Sequence, residues 1–328
     1  MKALRSVIIV MGLFLLLGDA QGQTQNYYAA VFLNRANVSV GSASGNGVFQ
    51  RRGNDTGWKN IYRNNLFAFG IDFSNPKKKY IAAGNGLHRS TDGGATWRIL
   101  TSWKTEEVLS VAIDPVDQRC ITIATPQGIF QSVDDGETWH AKRTGFRKWF
   151  VQQVMTDNRN RRILYAAAED DLYKTTNRGD LWKPLGVGKP GIMTVFQHPV
   201  NGDTLLVGTE DDGVFYSFDG GKRWRQSAGL PSTAFYATTS TPDGLHLYAG
   251  GNQTGLWRSD NAGVSWKQVW NAPNIESIFT ILIHPQNQSY IMVGTNAQGI
   301  FESKDQGKTW IAAGLQGAHV KQIILCDE

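Results

Sequence analysis

Apolar and polar positions along this chain come in short alternating blocks, and the blocks come in sets. Residues 108–114, V-L-S-V-A-I-D, form a β-branched run, followed by a polar turn at 115–119 and a second run at 120–125. Pro126-Gln127-Gly128 makes a short loop before a third run at 129–132. The polar octad 132–139, S-V-D-D-G-E-T-W, leads into a fourth run from Thr138. Runs of this length, rich in Val, Ile and aromatics and bounded by turn formers, predict β-strands. The first two runs recur at 66–72 with 80–84, 151–157 with 163–167, 192–198 with 205–208, 235–241 with 247–250 and 278–284 with 290–294. No helical periodicity of convincing length appears, and no Pro/Ser-rich linker divides the array.

The octad sets the period. It reads S-T-D-G-G-A-T-W at 90–97, S-F-D-G-G-K-R-W at 217–224, S-D-N-A-G-V-S-W at 259–266 and S-K-D-Q-G-K-T-W at 303–310, with a weaker T-T-N-R-G-D-L-W at 175–182 and a nearly erased copy ending at Trp58. The seven tryptophans are 39, 42, 43, 42, 42 and 44 residues apart. A fixed period near this size marks a repeat architecture, and four short strands per unit fit a propeller blade. The expectation is an all-β, seven-bladed β-propeller of four-stranded antiparallel blades, closed by strand exchange between the N- and C-termini. The inner-strand pattern appears again at 320–327 and near 29–34, so an eighth, partial blade is the alternative, and the segment 27–34 has no assigned place.

Each octad reads as a hairpin corner. Gly136 supplies the left-handed backbone that a tight turn needs. Ser132 and Asp134 fold back onto backbone N–H groups, and Trp139 covers the base of the turn. The octads resemble the Asp-box repeat of sialidases, sortilin-type receptors, xyloglucanases and a photosystem II assembly factor, the last being similar in size and repeat count. The resemblance implies a structural role for Asp92, Trp97, Asp134, Trp139, Trp182, Asp219, Trp224, Trp266, Asp305 and Trp310 on the propeller face away from any active site. Calcium binding by these corners is not expected, since no copy supplies the ladder of oxygen ligands and terminal bidentate Glu of a calcium loop.

Charge and cysteine content add context. Lys2 and Arg5 precede an apolar run of eleven at 7–17, with Ala20 or Gly22 offering a cleavage site, so residues 1–22 read as a secretory signal and 23–328 as one propeller. No Cys follows the apolar run, which argues against a bacterial lipid anchor, and no second stretch reaches membrane length. The expected location is secreted or periplasmic. The formal net charge is +5, or +4 once Lys2, Arg5 and Asp19 leave with the signal. The charges are scattered rather than striped, so nucleic acid is not an expected partner. Cys120 and Cys326 fall in separate units and are expected to be unbridged. Four N-x-S/T sequons begin at Asn37, Asn54, Asn252 and Asn287.

Candidate chemistry lies on the face opposite the octads, where fourth-to-first and second-to-third strand connections open. It includes Trp103, Glu107, Arg143, Arg147, Lys148, Trp149 and Trp270. The segment 142–150, K-R-T-G-F-R-K-W-F, interleaves cations with aromatics and suits a carboxylate, a sulfated glycan or a peptide terminus. A solvated loop whose Trp149 and Phe150 enter the core is the competing reading. The acidic loops Glu169-Asp170-Asp171 and Glu210-Asp211-Asp212 read as a solvating rim or a cation site. A sialidase would require an R-I-P arginine, which the sequence lacks, and Tyr236 has no acidic partner nearby in sequence. A xyloglucanase would place two Asp residues across a groove between two propellers, and one propeller fits here. The six histidines show no ligand spacing; His198 and His284 stand before Pro where Asp114 stands, as turn residues. The chain is therefore read as a monomeric, non-catalytic scaffold without metal or cofactor, binding a protein, peptide or glycan. A sialidase-like glycoside hydrolase with an atypical catalytic set is the alternative.

Overall fold

The second strand of each unit sits between two neighbours in its sheet and between two adjacent blades, so it is apolar on both faces. Ile121–Thr125, Leu164–Ala168, Leu205–Thr209, Leu247–Gly251 and Ile291–Thr295 are buried along their whole lengths. This explains their unbroken rather than alternating hydrophobic runs. A computed structural model describes residues 25–33, 45–53, 55–64, 67–102, 105, 107–272 and 274–327. The expected secretory signal at 1–22 lies outside them. Among the described residues the structure is entirely β: seven four-stranded antiparallel sheets form a seven-bladed propeller.

Blades 2 to 7 each use four consecutive strands. Blade 3, for example, runs Ser110–Ile113, Ile121–Thr125, Gly128–Ser132 and His140–Ala141 from the centre outward. Blade 1 is different. Its innermost strand is Ala318–Asp327, which pairs antiparallel with Gln25–Leu33, followed by Asn46–Arg52 and Lys59–Asn64. The N-terminal segment is thus the second strand of blade 1, with Tyr28 opposite Ile324. The outermost strands begin just beyond the octad tryptophan, except in blade 4, where Trp182–Pro184 starts at it. In blade 3 the strand starts at His140 rather than Thr138, because the Thr138 N–H donates to Asp134 Oδ1 at 2.9 Å and is lost to the ladder.

Two features hold neighbouring blades together. There are seven core clusters, one at each blade-to-blade seam, and each includes one of the seven tryptophans: Trp58, Trp97, Trp139, Trp182, Trp224, Trp266 and Trp310. The second feature is a small residue at one position of every second strand, namely Ala30, Ala82, Ala124, Ala167, Gly208, Gly250 and Gly294. It lets the next blade's inner strand approach. A Cβ on Gly208 would lie 2.3 Å from the Phe235 carbonyl oxygen of blade 6. Opposite this small residue, inner-strand side chains serve the next blade. Gln153 Oε1 accepts the Val195 N–H at 2.8 Å, Gln322 Oε1 accepts the Ile71 N–H at 2.6 Å, and Thr280 Oγ1 accepts the Ile323 N–H at 3.2 Å. Inner strands are sheet edges, and these bonds satisfy donors that no strand reaches.

The octad corners share one hydrogen-bond plan. Ser132 Oγ accepts the Gly136 N–H at 2.8 Å and donates to Asp134 Oδ1 at 2.8 Å, and the Thr138 hydroxyl donates to Asp134 Oδ2 at 2.6 Å. The divergent copy keeps the plan: Gly179 N–H reaches Thr175 Oγ1 at 3.0 Å and Leu181 N–H reaches Asn177 Oδ1 at 3.0 Å. Gly136 has φ 86° and Asp135 before it φ 66°, so each corner needs two successive left-handed residues. The turn roles of the prolyl-preceding histidines are visible too. His198 Nδ1 accepts N–H groups of Val200 and Asn201, as Asp114 Oδ1 does from Val116 and Asp117. Cys120 and Cys326 are not joined by a disulfide.

Candidate functional site

On the face opposite the octads, the segment 142–150 connects blade 3 to blade 4. It is anchored in its middle. Phe146 packs on Tyr173 and Trp182, with ring centroids 4.4 and 5.1 Å apart. Gly145, at φ 100°, presses on the Trp182 carbonyl oxygen where a Cβ could not fit. Beyond this anchor the chain stays outside: Trp149 is 54% exposed and Phe150 39%. Their entry into the core, one of the two sequence readings, does not occur, because Phe146 occupies that place.

Two cations of this segment, Arg147 and Lys148, find partners in an acidic loop more than twenty residues away. Arg147 Nε donates to Asp170 Oδ2 at 3.0 Å and to the Tyr173 hydroxyl oxygen at 3.2 Å, and its Nη2 lies 3.5 Å from Asp171. Lys148 Nζ donates to Glu169 at 2.6 Å, whereas Lys142 Nζ reaches Asp180 in the octad corner of blade 4, at 2.5 Å, and is not part of this rim. Lys189 and Asp212 pair likewise at 3.0 Å in the next blade. The sequence treats the basic segment and the acidic loops as separate features; the fold makes them one ion-paired rim. The hydrogen bonds and charges of Tyr173 and Asp170 hold the Arg147 guanidinium above its ordinary pKa. Arg147 and Lys148 are thus engaged within the chain.

Arg143 stands apart. Its guanidinium lies between the rings of Phe130 and Trp149, 5.0 and 4.9 Å from their centroids, and its Nε is buried without a hydrogen-bond partner. Gly128 makes room for it: a Cβ there would meet Arg143 Cγ at 3.2 Å. The result is a cation held between two aromatic faces, with the outer indole presented to solvent.

Of the other residues singled out in the sequence, Trp103 lies outside the described residues. Glu107 is exposed on the connection between blades 2 and 3. Trp270 stacks on Trp310 with centroids 4.4 Å apart and borders an apolar recess of about 410 Å³ with Ile275 and Phe301, so part of it is packing. Among the described residues no three His, Cys, Asp or Glu side chains gather as a metal site.

Sequence reading missed the central channel. It has a volume of about 460 Å³ and is lined by inner strands of all seven blades. Six of those strands carry a β-bulge at the same level, and in each the extra residue lines the channel: Phe69, Gln152, Met193, Tyr236, Phe279 and Lys321. Leu109 lines it from blade 3 at the head of that blade's inner strand. A bulge re-aims one side chain without disturbing the rest of the strand. Each bulge falls near the end of its strand that opens toward the candidate face, so the ring surrounds the channel mouth. Tyr236 stacks on Phe279 at 4.7 Å and Phe279 on His319 at 4.2 Å. Burial and then the charge of Glu210 raise the Tyr236 hydroxyl above its ordinary pKa. In four of the seven blades the sequence signal was only an apolar residue, Leu109, Met193, Tyr236 or Phe279, at the second place of the inner run, indistinguishable there from core; Gln152 and Lys321 break that pattern.

A protein-family profile described as the DUF6242 beta propeller domain matches residues 122–316. A xyloglucanase of a Paenibacillus species is 24% identical over 77% of this chain and 32% of its own length. The chain spans about a third of the length of the curated relatives it matches. The Niastella koreensis GH74 enzyme superposes with TM-score 0.62 at 20% identity, covering 75% of this chain and 45% of that one. YCF48 bound to D1 peptide superposes with TM-score 0.57 at 16% identity, covering 74% and 79%. These likenesses establish a shared propeller fold. Because the family match takes in more than half of its residues and lies wholly within the seven-bladed ring, the chain belongs to the DUF6242 beta propeller domain family.

Proposed function

We propose that this chain is an exported binding propeller that docks a protein, peptide or glycan partner on the face opposite the octad corners. The observation that carries this reading is the lip at the blade 3–blade 4 connection. There Arg143 holds the exposed ring of Trp149 in place, next to exposed Phe150. An aromatic fixed from behind and surrounded by an ion-paired rim has the composition of an interface hot spot. Its rotamer is set in advance, which lowers the entropy cost of binding. YCF48, a structural neighbour, is seen with a bound peptide, which supports a partner of that class.

Capture of partners from an exported fraction should be lost in Trp149→Ala with little change in melting temperature, because the indole is more than half exposed. Undiminished capture by that variant would remove the basis of the proposal. Arg147→Glu is a poor substitute: it would set a third carboxylate against Asp170 and Asp171 and damage the rim itself.

The second reading, glycoside hydrolysis with an unfamiliar catalytic set, draws on Tyr236 at the channel mouth within electrostatic reach of Glu210, and on the xyloglucanase relatives. Release of reducing sugar from xyloglucan by the wild-type chain, abolished in Tyr236→Phe and Glu210→Gln, is what it requires.

A further inference from the structure

Lys321 is the one charged side chain in the ring at the channel mouth, whose other six members are Phe69, Leu109, Gln152, Met193, Tyr236 and Phe279. It is the bulged residue of the innermost strand of blade 1: Gln322 pairs with Ala30 and Val320 with Val31, leaving Lys321 to the channel. Its Nζ sits 4.2 Å from the Phe279 ring centroid. Among the described residues no carboxylate pairs with it. Lys321 is half-buried; a cation partly withdrawn from water without an anion carries a cost, and the face of one aromatic ring offsets only part of that. A chain selected for stability alone would place Met or Gln there, as blades 5 and 4 do with Met193 and Gln152.

We propose that the channel mouth is a binding site for a small organic carboxylate with an apolar body, its carboxylate on Lys321 and its body against Phe279, Tyr236, Met193, Leu109 and Phe69. The volume of about 460 Å³ lies in the range of small-molecule sites. The chemistry divides by level: the ring at the mouth is mainly apolar with Lys321 as the one charged group that fixes orientation, and the wall below it is polar, with Ser110, Gln153, Thr194, Thr238 and Thr280. Bound anion would supply the counter-charge the fold withholds. This site is built from inner strands and not from the lip at Trp149, so it stands whether or not that lip docks a partner.

Burial lowers the Lys321 ammonium to about 8, so it remains largely protonated at neutral pH and loses its charge above that value. Two other titratable groups face it. His319, stacked on Phe279, is held neutral by burial and then by the Lys321 charge, down to about 3. Tyr236 is raised above its ordinary value. Neither changes charge across neutral and mildly basic pH, which leaves Lys321 as the switch.

The test titrates the full chain with 3-phenylpropionate and octanoate, and with the neutral amide of each, by calorimetry and by shifts of the Met193 methyl resonance. At least one acid should bind saturably and at least tenfold more tightly than its amide, and should weaken as pH rises past the Lys321 pKa. Lys321→Met should lose that tenfold preference while its melting temperature stays level or rises, and Lys321→Arg should keep it. A rise in stability with loss of binding is an outcome that a merely structural lysine would not give. Equal binding of acid and amide, unchanged binding by Lys321→Met, or no saturable binding of either acid would overturn the proposal.

Discussion

Gly208 shows how a single atom decides whether two blades can meet. Its Cβ would fall on the Phe235 backbone and on Thr194 Cγ2 at 2.9 Å, and a carbonyl oxygen cannot rotate away. Gly208→Ala should therefore destabilise by about 1–3 kcal/mol, the usual cost of overpacking, measured by chemical denaturation. The tryptophans grade similarly by burial. Trp182 is 1% exposed, whereas Trp139 is only half-buried and anchored by its Nε1–H to the Leu100 carbonyl at 3.0 Å. Trp182→Ala should cost about 3–5 kcal/mol and Trp139→Ala measurably less; equal losses would mean the corners, not the seams, set stability. At the corners, Asp134 and Asp305 are held down to about 2, first by the Thr138 and Thr309 hydroxyls. These carboxylates stay ionised well into acid.

Strands from distant parts of the chain meet at the seam of blades 7 and 1. Arg51, from Asn46–Arg52, donates to Glu302 Oε2 at 3.0 Å and to the Tyr290 hydroxyl oxygen at 2.5 Å, and Tyr290 donates to Glu302 at 2.5 Å. Burial opposes charge on Glu302, but hydrogen bonds from Tyr290 and Arg51 outweigh it and hold the carboxyl below its ordinary range. A depressed folded pKa means stabilisation that is present above the unfolded carboxylate value and is lost as pH falls through the folded one. Protection against hydrogen exchange in Gln25–Leu33 and Ala318–Asp327, taken relative to the intrinsic rate at each pH, should fall on acidification below the ordinary carboxylate range. Glu302→Gln should remove that dependence. Glu302→Ala should cost about 3–5 kcal/mol by leaving Arg51 buried and unpaired. The rim at Arg147 teaches a different lesson about elements. Residues 142–150 look like a free cationic patch in sequence because Asp170 and Glu169 belong to the next blade's strand connection. Only antiparallel pairing of Leu164–Ala168 with Leu172–Thr175 brings that loop beneath Arg147.

At the level of the whole molecule, blade 1 contains both ends of the described chain. Ala318–Asp327 covers the inner edge of Gln25–Leu33, and the cluster of Tyr27, Phe49, Met292 and Ile300 packs blade 7 against blade 1. Removing residues 318–327 would strip that edge and take Lys321 and Gln322 from the channel. An exposed strand edge invites intermolecular pairing, so the truncated chain should elute as larger species than the full chain in size-exclusion chromatography and lose cooperative unfolding. A truncation with the elution and unfolding of the full chain would show that the pairing is dispensable.

The repeat, its seven tryptophans and the strand order within each unit were legible in the sequence because they are local: a corner needs its Ser, Asp and Gly within five residues, and a buried strand needs its run of apolar side chains. The fold class followed from counting them. Sequence could not show that Arg147 and Lys148 are spent on Asp170 and Glu169, that Phe146 takes the place open to Trp149, or that Tyr27 and Val320 share a sheet. Those depend on which surfaces are adjacent once the blades are arranged in a ring. The channel ring is the clearest case, since a bulge is a backbone event with no residue signature of its own. It turned Phe279, Tyr236 and Lys321 from plausible core positions into the lining of one mouth.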